Sequence, residues 1–101
     1  MDESESMARE PLPSAEVDRL IDRELPGWRR EDRGIRKRFQ RATFPAAIEF
    51  VGRIADLAEA ANHHPDIDIR WRTVILYLTT HEAGGVTTLD LDLARQPDAL
   101  G

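Results

Sequence analysis

The stretch that most constrains the fold runs from residue 44 to residue 81, where the spacing of apolar side chains changes from helical to alternating across a single proline. Phe44, Ala47, Ile48, Val51, Ile54, Ala55 and Ala58 recur at intervals of three and four, the repeat of one helix face, and Thr43 and Pro45 suit its cap and first turn. Pro65 disfavours helical geometry at His64, so the spacing predicts a helix from Phe44 to Asn62 that stops at about His63. From Ile69 to His81 the period is two. Val74, Leu76 and Leu78 share one face; Trp71, Thr73, Ile75, Tyr77, Thr79 and His81 share the other. A long amphipathic helix and a one-sided strand can each bury their apolar face only by packing on another element.

The flanks supply the remaining elements. Residues 1–13 are acidic and polar, end in Pro11-Leu12-Pro13, and hold too little apolar content to pack, so a disordered tail is expected there. Ser14 suits the cap of a first helix with Val17, Leu20, Ile21 and Leu25 as its stripe, stopped by Pro26-Gly27. Trp28 to Asp32 and Ile35 to Arg41 read as two strands around Asp32-Arg33-Gly34, with Ile35, Lys37 and Phe39 on one face. After His81, Gly84-Gly85 breaks the strand. Thr87 followed by Asp90 resembles a capping box that opens a helix through Leu91, Leu93 and Ala94, which Pro97 limits to about two turns. The order is helix, strand, strand, helix, strand region, helix. It implies one α+β domain over residues 14–101, an antiparallel sheet covered on one side by helices.

Composition narrows the chemistry. The chain has no cysteine, which excludes disulfides, thiolate nucleophiles and cysteine-bound zinc, so any reaction must use oxygen and imidazole. The longest apolar run, Val74 to Leu78, is far short of the roughly 20 residues that span a bilayer, and the N-terminus has no signal-peptide core. A cytoplasmic location is therefore expected, without membrane contact. Seven of the 14 basic residues lie between Arg29 and Arg41. They read as outward residues of the strand pair rather than a nucleic-acid footprint, because the chain's net charge of -5 repels nucleic acid at long range.

All three histidines fall between residues 63 and 81, in an interval that has carboxylates near both ends. Imidazole is the side chain whose ordinary pKa, about 6.5, allows proton transfer near neutrality. His63 and His64 sit where a helix meets a proline bend, and His81 where a strand meets a glycine turn. Glu59, four residues before His63, shares the last helical turn in this reading and is placed to orient it. Each residue also has a plain structural reading: His63 complements a helix C-terminus, and Asp90 caps the helix at Thr87. Trp71 and Tyr77 read as packing or interface residues rather than ligand-stacking ones. Zinc is disfavoured, since adjacent histidines rarely reach one ion and the three- or four-residue spacing of helical ligands is absent.

Taken together, Glu59, His63-His64-Pro65, Trp71, His81 and Asp90 at this spacing resemble the signature of the pterin-4a-carbinolamine dehydratases. Gly27-Trp28, the Phe44-to-Asn62 helix, Leu78-Thr79-Thr80-His81, Gly84-Gly85 and Leu93-Ala94 extend the likeness, which runs from near Leu25 to Ala94. The chain departs from it at Leu89, where an Arg is common. The resemblance implies an α-β-β-α-β-β-α order with a four-stranded antiparallel sheet, in which Asp66 to Trp71 and Val74 to Thr80 are separate strands turning near Arg72-Thr73. It implies dehydration of a 4a-hydroxytetrahydropterin without metal or cofactor, in tetrahydrobiopterin recycling for aromatic amino acid hydroxylases. In that scheme His63 and His81 do acid-base work and His64 holds the pterin and its departing oxygen. Glu59, Pro65 and Asp90 support the site or bind substrate, Glu59 by orienting His63 and Asp90 by fixing the loop after His81. A homodimer or homotetramer is also implied, with Ile75 and Tyr77 as candidate interface residues. The competing expectation is a non-catalytic role on the same scaffold, as an assembly factor or a dimerisation cofactor.

Overall fold

The computed structural model describes residues 10–100. Its elements are α1 (Ser14–Glu24), β1 (Arg29–Glu31), β2 (Gly34–Gln40), α2 (Phe44–Ala61), β3 (Asp66–Arg70), β4 (Thr73–Leu78) and α3 (Thr88–Ala94), followed by a 3-10 turn, Pro97–Leu100. The four strands form one antiparallel sheet in the order β1-β2-β4-β3. Ile35 stands beside Leu78 and Phe39 beside Val74, so the apolar sides of the two central strands coincide. That face and the apolar sides of the helices make the core. Trp28 meets Phe39 edge-on at 6.1 Å, and Phe39 leans on Phe50 of α2 at 5.0 Å. Removing such side chains from water contributes about 1.5–3 kcal/mol each.

α2 begins as its sequence requires, with the Thr43 hydroxyl accepting from the Ala46 amide at 3.1 Å and proline in the first turn. Its buried side differs from the expected stripe. Ala47, Phe50, Ile54 and Ala58 face the core, whereas Phe44 and Ile48 are 48% and 45% exposed and Ala55 is exposed too. The helix is turned so that the large ring of Phe50 reaches Phe39; the apolar count alone does not reveal which flank of the stripe the sheet will take.

The alternating run from Ile69 to His81 is two strands, not one. Arg70 pairs with Thr73, leaving Trp71-Arg72 as a two-residue turn, one position earlier than Arg72-Thr73. Trp71 takes a left-handed φ of 56°, a conformation usually given to glycine or asparagine, so no turn residue marks the site. The first hairpin behaves similarly: the turn is Asp32-Arg33, with Asp32 at φ 52°. Gly34 is already in β2, and its missing side chain makes room for Tyr77, whose Cζ would lie 2.4 Å from an added Cβ.

Two end features also depart from expectation. Ser14 is the first helical residue of α1 and no side chain caps it; the Pro13 carbonyl instead accepts from the Glu16 and Val17 amides. The tail expected over residues 1–13 lies partly outside the described residues, and its end is docked: Leu12 donates its amide to the Val86 carbonyl at 2.8 Å and packs on the core. Within the basic stretch, Lys37 turns toward the core face, its ammonium bonding Pro26 O at 2.8 Å and Asp98 at 2.6 Å. Arg30 and Arg36 pair with Asp18 and Glu31. Among the described residues no helix is long and apolar enough to cross a membrane.

Candidate active site

Three element ends meet at one place. At the end of α2, Asn62 adopts a left-handed φ of 50° and donates its amide to Ala58 and Glu59 carbonyls, while the His63 amide reaches back to Ala58 O at 3.1 Å. This reversal turns His63 inward, to 11% side-chain exposure, and leaves the next residue outside. Beyond β4, Thr80 pairs with Gly85 and closes a small loop that carries His81 at its exposed edge, with Gly84 at φ 75°. The third end is the start of α3, where Thr87 and Asp90 form the capping box that their spacing predicts.

Asp90 joins all three. It is fully buried, and its Oδ2 accepts from the Thr87 amide at 2.9 Å and the Thr80 hydroxyl at 2.8 Å. Its Oδ1 lies 2.5 Å from His63 Nε2. Since the single Thr80 proton goes to Asp90, the 2.8 Å bond between the Thr80 and Thr87 hydroxyls is donated by Thr87, whose oxygen accepts from the Leu89 amide. A carboxylate with three donors fixes His63 with a proton on Nε2 and leaves Nδ1 as the ring atom open to exchange. Outside this network, His64 Nε2 meets Glu59 Oε1 at 2.6 Å, both side chains being exposed.

The three histidines, with Thr79, Thr80 and Leu89, line a cavity of about 280 Å³. The structure thus brings His63, His64 and His81 together and sets Asp90 behind them. Glu59 is corrected: it orients His64 and not His63, because Asn62 ends the helical spacing before residue 63 and exchanges the two rings' surroundings. Asp90 caps α3 and holds His63 at once. Pro65 lies between the Asn62 reversal and β3 and is not a lining residue, and Trp71 is 70% exposed in the β3–β4 turn, also outside the lining. Thr79, Thr80 and Leu89 also line the cavity, although the sequence reading assigned them no role there: the threonines entered only within Leu78-Thr79-Thr80-His81, and Leu89 only as the departure from an Arg. Thr80 had a signal, since alternation from Leu78 sends it inward, where a hydroxyl needs a partner.

Tyr77 lies beside this cluster, donating its hydroxyl to Glu31 O at 3.1 Å. Burial, and then the charge of Asp32, push its phenol above the ordinary value. Among the described residues no three His, Cys, Asp or Glu side chains converge as a metal-ligand group.

Residues 10–100 match the family model described as Pterin 4 alpha carbinolamine dehydratase. A protein of Roseiflexus sp. (strain RS-1), provisionally named pterin-4-alpha-carbinolamine dehydratase, is 56% identical over 89 residues, covering 88% of this chain and 95% of its own length. A protein of Nocardia farcinica (strain IFM 10152) with the same provisional name is 57% identical over 77 residues, 76% of this chain and 81% of its own. The crystal structure of a transcriptional coactivator/pterin dehydratase from Brucella melitensis superposes with a TM-score of 0.84 at 30% identity, over 90% of this chain and 98% of that one. With the match spanning the sheet, all three helices and every element end of the site, the chain belongs to the pterin 4 alpha carbinolamine dehydratase family.

Proposed function

We propose that this chain dehydrates a 4a-hydroxytetrahydropterin to the quinonoid dihydropterin and water by histidine acid-base catalysis. The observation that carries the reading is the single cavity lined by three imidazoles, one of them fixed from behind by a buried carboxylate. Loss of water from the substrate needs a proton delivered to the 4a-hydroxyl as its bond to C4a breaks. It also needs a base for the N5 proton, whose electron pair becomes the new C4a–N5 double bond. Groups that exchange protons near neutrality suit both transfers. His63 and His81 share these roles; His64, oriented by Glu59, holds the pterin and its departing oxygen. Leu89 and Thr79 complete a wall on which a flat ring can lie. In a cell such a reaction returns tetrahydrobiopterin to use by aromatic amino acid hydroxylases. The same reading carries a homodimer or homotetramer, with the open sheet face around Ile75 and Tyr77 as its interface, which sedimentation measures.

The test is a stopped assay of 4a-hydroxytetrahydropterin dehydration with wild type, His63→Ala, His81→Ala and the double variant. Each single change is expected to slow turnover about a hundredfold or more, the usual contribution of a general acid or base. Wild-type rates in both single variants would overturn the assignment. A wild type without dehydratase activity would overturn the function and leave the non-catalytic reading in its place.

A further inference from the structure

The β1–β2 hairpin concentrates cations that the histidine site does not use. Strand register sets Arg29 directly beside Arg36, and the two-residue period of β2 puts Arg38 on the same side of the sheet, opposite to Ile35 and Phe39. Gly27, Arg29, Arg36, Lys37 and Arg38 line a cavity of about 220 Å³, which shares no lining residue with the histidine cavity. It lies where β1 begins, beyond which Lys37 and Arg38 have no paired residue on that side. Gly27 leaves room for the Lys37 chain along the rim, since an added Cβ would lie 2.9 Å from Lys37 Cε.

Like charges directly opposite on neighbouring strands are destabilising, and little here offsets them. Glu31 alone serves both Arg36, at 3.1 Å, and Arg29, at 3.8 Å. Arg38 forms no ion pair with another described residue, and Arg36 Nε is buried without a hydrogen-bond partner among them. Yet the chain as a whole is acidic, with a net charge of -5. We infer that this cavity is a binding site for a phosphate-type oxyanion, the phosphoryl end of a small ligand. Guanidinium groups present planar pairs of N–H donors that match such oxygens, and a multivalent anion among the three arginines removes the repulsion that the fold leaves in place. Lys37 adds positive field, its ammonium being already engaged by Pro26 O and Asp98. Charge also sets the size of the ligand. A nucleic-acid strand laid along this sheet face would meet Asp66 and Asp68, which share it with Arg36 and Arg38, whereas a small phosphate ester meets only the arginines.

The probe is inorganic diphosphate, titrated at constant ionic strength and followed by backbone amide shifts in NMR. The proteins are wild type, Arg29→Gln/Arg38→Gln, and a control of equal charge, Arg19→Gln/Arg70→Gln, whose residues are exposed and lie outside the cavity. The cavity variant keeps the ion pair of Arg36 with Glu31. Wild type is expected to saturate with a Kd of about 0.1–1 mM, with shifts centred on residues 27–38. The cavity variant is expected to bind at least about tenfold more weakly, and the control within about twofold of wild type. Equal affinity in the two variants, or no saturable binding by wild type, would overturn the site. Short duplex DNA is expected to bind no more tightly than diphosphate; tighter, steeply salt-dependent binding would overturn the small-ligand assignment. Sedimentation decides the remaining rival, in which the arginines meet Asp66 and Asp68 of a second copy. The cavity variant is expected to keep the wild-type size, and its dissociation into smaller species would overturn the site.

Discussion

Asp90→Asn separates the two roles of the buried carboxylate. Truncation to alanine would not, because it strands the Thr87 amide, the Thr80 hydroxyl and the His63 ring N–H in the interior. At about 1–3 kcal/mol for each unsatisfied donor, that loss approaches the 5–15 kcal/mol that holds a typical domain folded. Asparagine keeps the shape but offers one oxygen and one amide group. The Thr87 main chain can only donate, so the oxygen must face it, and the amide must face His63. Nε2 of His63 then has to accept, its proton moves to Nδ1, and the atom left for substrate is no longer a base. An Asp-to-Asn change that reverses a catalytic tautomer in this way lowers kcat by about 10⁴ in the Ser-His-Asp case. Here kcat is expected to fall by about 10²–10⁴, no further than in His63→Ala, with a stability loss of only about 1–2 kcal/mol as charge-assisted bonds become neutral ones.

Two measurements decide it: kcat for dehydration, with thermal unfolding alongside, and the same pair for His63→Ala and for the double variant. If Asp90 acts through His63, the double variant is no slower than His63→Ala alone, because the tautomer of an absent ring is irrelevant. An Asp90→Asn enzyme within about threefold of wild type, or losses that multiply in the double variant, would refute the tautomer argument.

Two further outcomes concern the β1–β2 hairpin and the tyrosine beside it. Gly34→Ala places a Cβ 2.4 Å from Tyr77 Cζ and 2.6 Å from the Leu78 carbonyl, so the variant is expected to lose about 1–3 kcal/mol in denaturant unfolding; an unchanged midpoint would show that Tyr77 yields freely. Tyr77 is the one tyrosine in the chain, so absorbance titration reads it alone, and burial with the Asp32 charge is expected to hold its midpoint above 10.0 in the folded protein and return it to about 10 in urea. The folded state keeps this proton longer than the unfolded chain does, so the stability it supplies is complete below the unfolded value and falls as pH rises through the folded one. Equal midpoints in buffer and urea would contradict the burial, and Asp32→Gly is expected to bring the folded midpoint part of the way down.

The features legible in the residues alone are those decided locally. Thr43 caps α2, Thr87 and Asp90 close a capping box, and Val74, Leu76 and Leu78 bury one side of β4, because each depends only on neighbours within a few positions. Faults arise where a single backbone conformation redirects the residues beyond it. Asn62 at a left-handed φ ended the four-residue spacing and gave Glu59 to His64; Trp71 in the same region divided an alternating run that has no glycine, proline or asparagine to mark the turn. Phe50 replaced Ile48 on the buried side of α2 because Phe39 waits on the sheet, a partner ten or more residues away. The likeness to a known family supplied the division of the run into two strands, though not the position of its turn. The bond between His63 and Asp90 links residues 27 apart in sequence, and only the folded chain displays it.

Using one carboxylate both to cap α3 and to hold His63 has a consequence for how the site meets its ligand. Thr80, Thr87 and His63 belong to three different element ends, so the position of the His63 ring can change only if the capping box or the end of β4 comes apart. That ring is already ordered before substrate arrives, and no conformational entropy is spent on it at binding. The other two imidazoles stand differently. His64 is 57% exposed and leans on a glutamate that is 78% exposed, a pair that holds geometry with no more than about 1 kcal/mol, and His81 rides on an exposed loop edge. Ordering such side chains costs a ligand a fraction of its affinity, in exchange for a wall that can adjust to the ring. The cavity therefore pairs one imidazole fixed by the fold with two that a ligand itself must place. Substitutions at Asp90 or Thr80 should act on kcat through geometry, whereas substitutions at Glu59 should be felt first in KM.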